Sequence, residues 1–230
     1  MARTTQRHAS DVPASPARLG GRRKALKAET HERIIASAGR LARRAGLTAA
    51  SVPRVMRGAG LTVGGFYAHF RSKRAMDAAV IARAMQEVRE QWFDGLESSE
   101  GIDWLARAVK RYLRASHRDR PGGGCVLPST ISELTRADRV TRAALAEALE
   151  EVVCEFTEHT PELRDTTARE RALATLALCI GGLTAARALR GHPLSDELLR
   201  ACVKWALPEA SARLSKSRRA PGRVSEETRG

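Results

Sequence analysis

The sequence predicts an all-α protein in two parts, and three observations predict it. Ala and Leu supply most of the apolar surface, with Arg and Glu among the charged residues. All four are strong helix formers, whereas runs of Val, Ile, Thr and aromatics of the kind that build strands are missing. Apolar residues recur at helical spacing along the chain. Positive charge is confined to one end: residues 1–75 hold 16 Lys/Arg against 3 Asp/Glu, whereas 24 basic and 23 acidic residues nearly cancel over the rest. A positive field gathered into one third of a chain suits a polyanion such as DNA.

Residues 1–27 combine Pro13, Pro16, Gly20 and Gly21 with Arg22, Arg23 and Lys24 and lack apolar periodicity, so they read as a disordered basic arm. The first helix is expected to start at Thr30 as N-cap and to end at Gly46, with Ile34, Ala38, Leu41 and Ala45 on one face. A short second helix runs from Ser51 to about Gly58, with Pro53 tolerated in its first turn. Ala59-Gly60-Leu61 then leads into a third helix from Thr62 to about Phe70, and a fourth starts at Ser72 and reaches about Leu96. Five more helices are expected at about 102–117, 125–136, 138–159, 166–190 and 195–213, separated by the breaks Arg118–Gly124, Thr160-Pro161 and His192-Pro193. The domains read as 28–75 and 76–214, with a disordered tail at 215–230.

Two short helices joined by a tight Gly-containing turn, behind a longer helix, describe a helix-turn-helix. Residues 51–74, SVPRVMRGAGLTVGGFYAHFRSKR, resemble the DNA-binding signature of the TetR family. The resemblance rests on Val52, Val55, Ala59-Gly60-Leu61-Thr62, Gly65-Phe66-Tyr67-Ala68-His69-Phe70 and Ser72-Lys73, and covers roughly residues 30–80. It implies a recognition helix carrying Thr62, Val63, Gly64, Gly65 and Tyr67, phosphate contacts from His69 and Lys73, and a backbone approach by Thr48, Ser51 and Arg54. Phe66 and Phe70 are implied as core. Two positions depart from the family pattern: Ala42 replaces a frequent aromatic and Met56 a frequent small Ala, and Met56 is expected to fill the volume that Ala42 leaves. Val63-Gly64-Gly65 offers few side-chain donors to base edges, so specificity is expected to lean on Thr62, Arg54, Arg57 and DNA shape.

The resemblance also implies a helical C-terminal domain that binds an effector and dimerises. The segment Ala172–Ala186 is uncharged over 15 residues, short of a bilayer span, and reads as a buried helix rich in Ala and Gly. With the helix near 195–213 it is expected to form a four-helix bundle with a second copy. Candidate pocket residues are Trp92, Trp104, Leu105, Tyr112, Cys125, Phe156 and Thr184, mostly apolar walls that suit a small hydrophobic or aromatic effector. Cys125 follows a Gly-rich break at an expected helix start, where a thiol pKa is lowered, and is a candidate redox or electrophile switch.

The four cysteines, Cys125, Cys154, Cys179 and Cys202, form no CxxC pair, and no metal or cofactor is expected. No secretory segment and no membrane span is read, so the expected location is cytoplasmic. No HExxH, GxSxG, P-loop or GxGxxG motif supports an enzyme. The expected function is a ligand-responsive transcriptional repressor that binds a palindromic double-stranded DNA operator as a homodimer and is released by a small molecule. A transcriptional activator of the same family, or an architectural DNA-binding protein without effector, are the alternatives.

Overall fold

The computed structural model describes residues 16–163 and 166–208, with side chains from residue 21. The described residues form nine α-helices and three short 3₁₀ helices, with no strand among them. Helix α1 spans Pro16–Ala49, α2 Val52–Gly58, α3 Lys73–Phe93, α4 Gly101–Tyr112 and α5 Ala115–Asp119. Helix α6 spans Leu127–Leu134, α7 Arg139–Glu158, α8 Ala168–Ala188 and α9 Pro193–Trp205.

The first helix starts well before Thr30, so residues 16–27 are helical where the arm was expected to be disordered. The residues from Arg22 to Ala28 are all good helix formers. Thr30 does not cap; its hydroxyl donates back to the Leu26 carbonyl at 2.8 Å, one turn earlier in the same helix. Residues 1–15 of the expected arm lie outside the described residues, as do 209–230 with the expected tail. The helical path of α1 breaks at Ala45 and Gly46, and Gly46 takes φ +84°, a left-handed conformation that glycine adopts without a Cβ penalty.

Two further helices are shorter than their patterns suggest. The recognition segment is a 3₁₀ helix, Val63–Ala68, in place of the expected Thr62–Phe70. A β-branched Val followed by Gly64-Gly65 holds a regular α-helix poorly. The expected 102–117 helix stops at Tyr112, because Arg114 is extended (φ −79°, ψ 149°) and α5 starts afresh. That break lets His117 turn inward. Its Nε2 accepts from the Cys125 N–H at 3.0 Å, so Nδ1 carries the proton and donates to the Tyr112 carbonyl at 2.7 Å. Arg187 of α8 donates to the carbonyls of His117 (3.0 Å) and Cys125 (3.4 Å). One imidazole and one guanidinium thus tie α4, α5, the approach to α6 and α8 into a single knot.

Helix α8 is, by length and composition, apolar enough to cross a bilayer, longer than the uncharged stretch read from sequence. Its packing accounts for that composition. One face, with Ala172, Thr175, Leu176, Cys179, Leu183 and Ala186, is buried against α4, α6, α7 and α9. A Cβ on Gly182 would lie 2.6 Å from Cys202 Sγ, so the close approach of α9 depends on that glycine. The opposite face turns outward: Leu173, Ala174, Ala177, Gly181 and Ala188 are exposed. On α9, Leu194, Ala201 and Trp205 are exposed at helical spacing, and Trp205 is 75% accessible.

Burial pushes the His117 ring down to about 4, with Arg187 and Arg114 adding to the effect and the Tyr112 carbonyl opposing it. The folded state therefore holds this imidazole neutral, while the unfolded chain takes up a proton near 6.5. Stability from this site is complete above pH 6.5 and is lost as pH falls towards about 4. Denaturation midpoints measured from pH 7.5 to 4 are expected to fall more steeply for the natural chain than for His117→Asn, which starts less stable but lacks the slope.

Candidate nucleic-acid interface and effector cavity

The turn between α2 and the recognition segment is built by backbone bonds that close on Gly60. Ala59 N–H donates to the carbonyls of Val55 (2.9 Å) and Met56 (3.2 Å), Gly60 N–H to Arg57 (3.0 Å) and Leu61 N–H to Met56 (2.9 Å). Gly60 sits at φ +68°, which the expected small residue of a helix-turn-helix permits. Helix α1 pins this turn from behind. Arg33 donates to the Ala59 carbonyl at 2.6 Å, and the buried Ser37 hydroxyl donates to the Val55 carbonyl at 2.8 Å. A Cβ on Gly58 would lie 2.5 Å from Ser37 Oγ, so this glycine allows the contact. Arg33, Ser37 and Gly58 carried no pattern that sequence reasoning singled out.

The recognition segment has a packed inner edge and a bare outer one. Phe66 is fully buried and stacks on Phe70 with centroids 5.6 Å apart, while Tyr67 meets Phe66 edge-on at 5.3 Å. Met56 is buried too, as its expected volume-filling role requires, and its Cε faces Gly65, where an added Cβ would meet it at 3.7 Å. Outward, Thr62, Val63 and Gly64 are exposed and Tyr67 is 72% accessible. Nothing lies within 4 Å of where a Gly64 side chain would start. Arg54 and Arg57 are exposed beside this edge, and Ser51 is half-buried with no capping bond. Among the described residues Arg22, Arg23, Lys24, Lys27, Arg54, Arg57, Arg71 and Arg74 make no ion pair.

Two of the residues expected on phosphate or backbone, Lys73 and Thr48, have protein partners. The Lys73 ammonium is held by the Asp77 carboxylate (2.9 and 2.6 Å) and the Leu47 carbonyl (3.2 Å), so it faces the end of α1. The i, i+4 spacing of Lys73 and Asp77 makes that pair. Thr48 points its N–H at Glu133 (3.3 Å to each oxygen). His69 is half-buried, its Nδ1 buried without a hydrogen-bond partner, and burial together with His31 and Lys27 lowers its pKa.

Behind the head, α6 grips α1. The Glu133 carboxylate accepts from the N–H of Leu47 as well as Thr48. A Cβ on Gly46 would lie 2.7 Å from Glu133 Oε1, so a glycine must occupy the site where the carboxylate closes. Arg43 donates to the Gly124 carbonyl at 3.1 Å and to Glu87, and Ser129 Oγ donates to the Arg43 carbonyl at 2.7 Å. None of this junction was read from sequence, because its partners lie 44 to 86 residues apart.

Of the expected pocket residues, Trp92, Trp104, Leu105, Tyr112, Cys125 and Phe156 are all buried in the C-terminal core. Trp92 meets Tyr112 at 4.2 Å and Phe156 at 5.5 Å, Trp104 stacks on His159 at 4.4 Å, and Trp92 Nε1 donates to the Ala108 carbonyl at 2.8 Å. Thr184 does not join them: it is half-buried on α8, its hydroxyl donating to the Ile180 carbonyl at 2.7 Å. A cavity of about 70 Å³ lies against Trp92 and Tyr112, with Gln91, Arg111, Arg114 and His117 on its rim. These polar groups were missed in the sequence, where Gln and Arg on a helix read as solvated surface. Cys125 departs from expectation. Helix α6 starts two residues later at Leu127, the thiol is buried, and burial pushes its pKa up instead of down.

Residues 34–80 match the family model described as bacterial regulatory proteins, tetR family. No curated protein sequence matches the chain. Among solved structures, the reduced form of NemR from E. coli superposes with a TM-score of 0.67 at 20% identity, covering 77% of this chain and 95% of that one. A TetR transcriptional regulator from Chloroflexus aurantiacus gives 0.66 at 23% identity, covering 79% and 96%. A TetR-family regulator from Streptomyces coelicolor gives 0.62 at 24% identity, covering 80% and 97%. These likenesses show the fold over 77–80% of the chain. The turn closed on Gly60, the buried Phe66–Phe70 pair and the matched model agree: residues 34–80 are similar to bacterial regulatory proteins of the tetR family, on a helical fold shared with solved regulators of that family.

Proposed function

We propose that this DNA-binding regulator is a repressor, that it holds a palindromic operator as a homodimer, and that a small hydrophobic or aromatic effector releases it. The observation that carries the reading is the bare outer edge Thr62–Val63–Gly64–Tyr67 beside exposed Arg54 and Arg57 that no carboxylate neutralises. A 72% exposed tyrosine offers its hydroxyl to a phosphate while its ring stays against Phe66. Gly64 lets the backbone approach the groove closely, with no side chain in between. In domain terms we assign a head over 28–75 and a body over 76–214.

The outward stripes of α8 and α9 support the dimer. Apolar surface of this kind, with an open tryptophan at its end, marks an interaction site on a helical body. A second copy laying its own α8 and α9 across these would complete a four-helix bundle. The effector site we assign is the cavity by Trp92 and Tyr112. Its volume of about 70 Å³ is far below the ~300–1,000 Å³ of ordinary small-molecule sites. We assign the closed packing to the DNA-binding state, with an effector that favours a more open core. Loosening there reaches the head through His117, Cys125 and Gly124 to Arg43, and through α6 to Glu133.

Two substitutions test the reading. Gly64→Ala adds a methyl into open space on the protein, so stability should hold while affinity for a selected duplex falls by about tenfold, ~1.4 kcal/mol. Unchanged affinity would remove the groove-facing assignment. Gly181→Arg puts a charge on the outward stripe of α8, where nothing lies within 4 Å of the added Cβ. Sedimentation should then show a folded monomer, and palindrome affinity should drop by about 10²-fold as the second half-site contact is lost; a dimer that persists would contradict the assigned interface.

A further inference from the structure

The head matched by the family model starts at residue 34, yet α1 runs back to Pro16. That upstream stretch is not bare spacer. Residues 21–29 are all exposed, and Arg22, Arg23, Lys24 and Lys27 make no ion pair among the described residues. Lys24, Lys27 and His31 follow i, i+3, i+7 spacing and share a face. That face, with Ala28 and Glu32, forms a groove against Ala68 and His69 at the end of the recognition segment. The helix is anchored there by His31, whose ring stacks on Phe70 at 4.5 Å and lies 6.1 Å from His69. His69 adds a buried Nδ1 that no protein group satisfies. Among the described residues Glu32 is the only carboxylate lining the groove, so their balance on its rim is net positive. The exposed Tyr67 is next in the chain to Ala68, which puts the groove beside the bare outer edge already described.

We propose that this groove is a second phosphate-binding site, formed by Lys24, Lys27, His31 and His69, which takes the backbone of duplex DNA flanking each operator half-site. The inference rests on the DNA-binding reading above and extends it outwards. From His31 back to Arg22 the helix runs about 14 Å, at roughly 1.5 Å per residue, or about four base pairs of duplex. Side chains on phosphates add affinity without reading sequence, so the site lengthens the footprint and leaves specificity with the recognition segment.

The test uses the full chain and a duplex it selects from a randomised pool, prepared with and without eight flanking base pairs on each side. Lys24→Ala/Lys27→Ala changes only exposed side chains, and circular dichroism checks that helicity is kept. The expected result is an affinity loss of about tenfold on the flanked duplex. The slope of log affinity against log salt should shrink by about 1–2, at about 0.9 per phosphate contact. The trimmed duplex should show little change. Equal binding of both duplexes by variant and natural chain would overturn the proposal while leaving the recognition segment's role intact. Loss of binding to phosphatidylglycerol vesicles, with DNA binding unchanged, would assign the groove to a membrane surface and overturn it as well. A natural chain that selects no duplex at all would remove the DNA-binding reading and this inference with it.

Discussion

The rest of the structure depends on a carboxylate that closes over the end of α1. Glu133 accepts from the N–H groups of Leu47 and Thr48, just where α1 turns at Gly46 and the chain heads into α2. These amides follow directly on the break at Ala45 and Gly46, where the helical path restarts, and an ionised acceptor on them is worth about 1.5–3 kcal/mol. Because Glu133 belongs to α6, the contact also fixes how the head sits on the body. Arg43 reinforces it, reaching the Gly124 carbonyl at 3.1 Å and Glu87 on α3. The orientation of the recognition segment is thus set by body residues far away in sequence.

The nine aromatic residues show how the chain divides its resources. Phe66 and Phe70 hold the head, and Trp92, Phe93, Trp104, Tyr112 and Phe156 form one cluster in the body. Only Tyr67 and Trp205 are largely exposed, at 72% and 75%. One stands on the outer edge of the recognition segment and the other at the end of the outward stripe of α9. An exposed ring costs hydrophobic burial of about 1.5–3 kcal/mol, so two such rings at the two proposed partner surfaces are consistent with contacts that cover them.

Local information made most of the fold legible. Composition and 3.6-residue periodicity marked the helices, and Pro161, Pro193 and the Gly-rich run before Cys125 marked breaks. The turn at Gly60 was readable because a tight connection between two short apolar helices needs a small residue there. What was not legible depends on partners distant in sequence. Helical propensity from Arg22 to Ala28 was outweighed, in the reading, by the neighbouring prolines and glycines, so the upstream turns of α1 were missed. Lys73 looked free for phosphate because Asp77 and the Leu47 carbonyl were not recognisable as its partners. Cys125 looked activated by a helix start, but burial among Tyr112, Arg187 and the α6 approach decides its chemistry. Glu133 belongs to no motif or periodic pattern that would single it out in the sequence.

The most direct test of the central claim is Glu133→Gln, which keeps the side chain's size but removes its charge. Amide hydrogen exchange should show Leu47 and Thr48 losing protection, while unfolding remains a single transition. Affinity for a selected duplex should fall by about tenfold or more, because the head is no longer held in one orientation. Unchanged duplex affinity, with those two amides exchanging freely, would contradict the account.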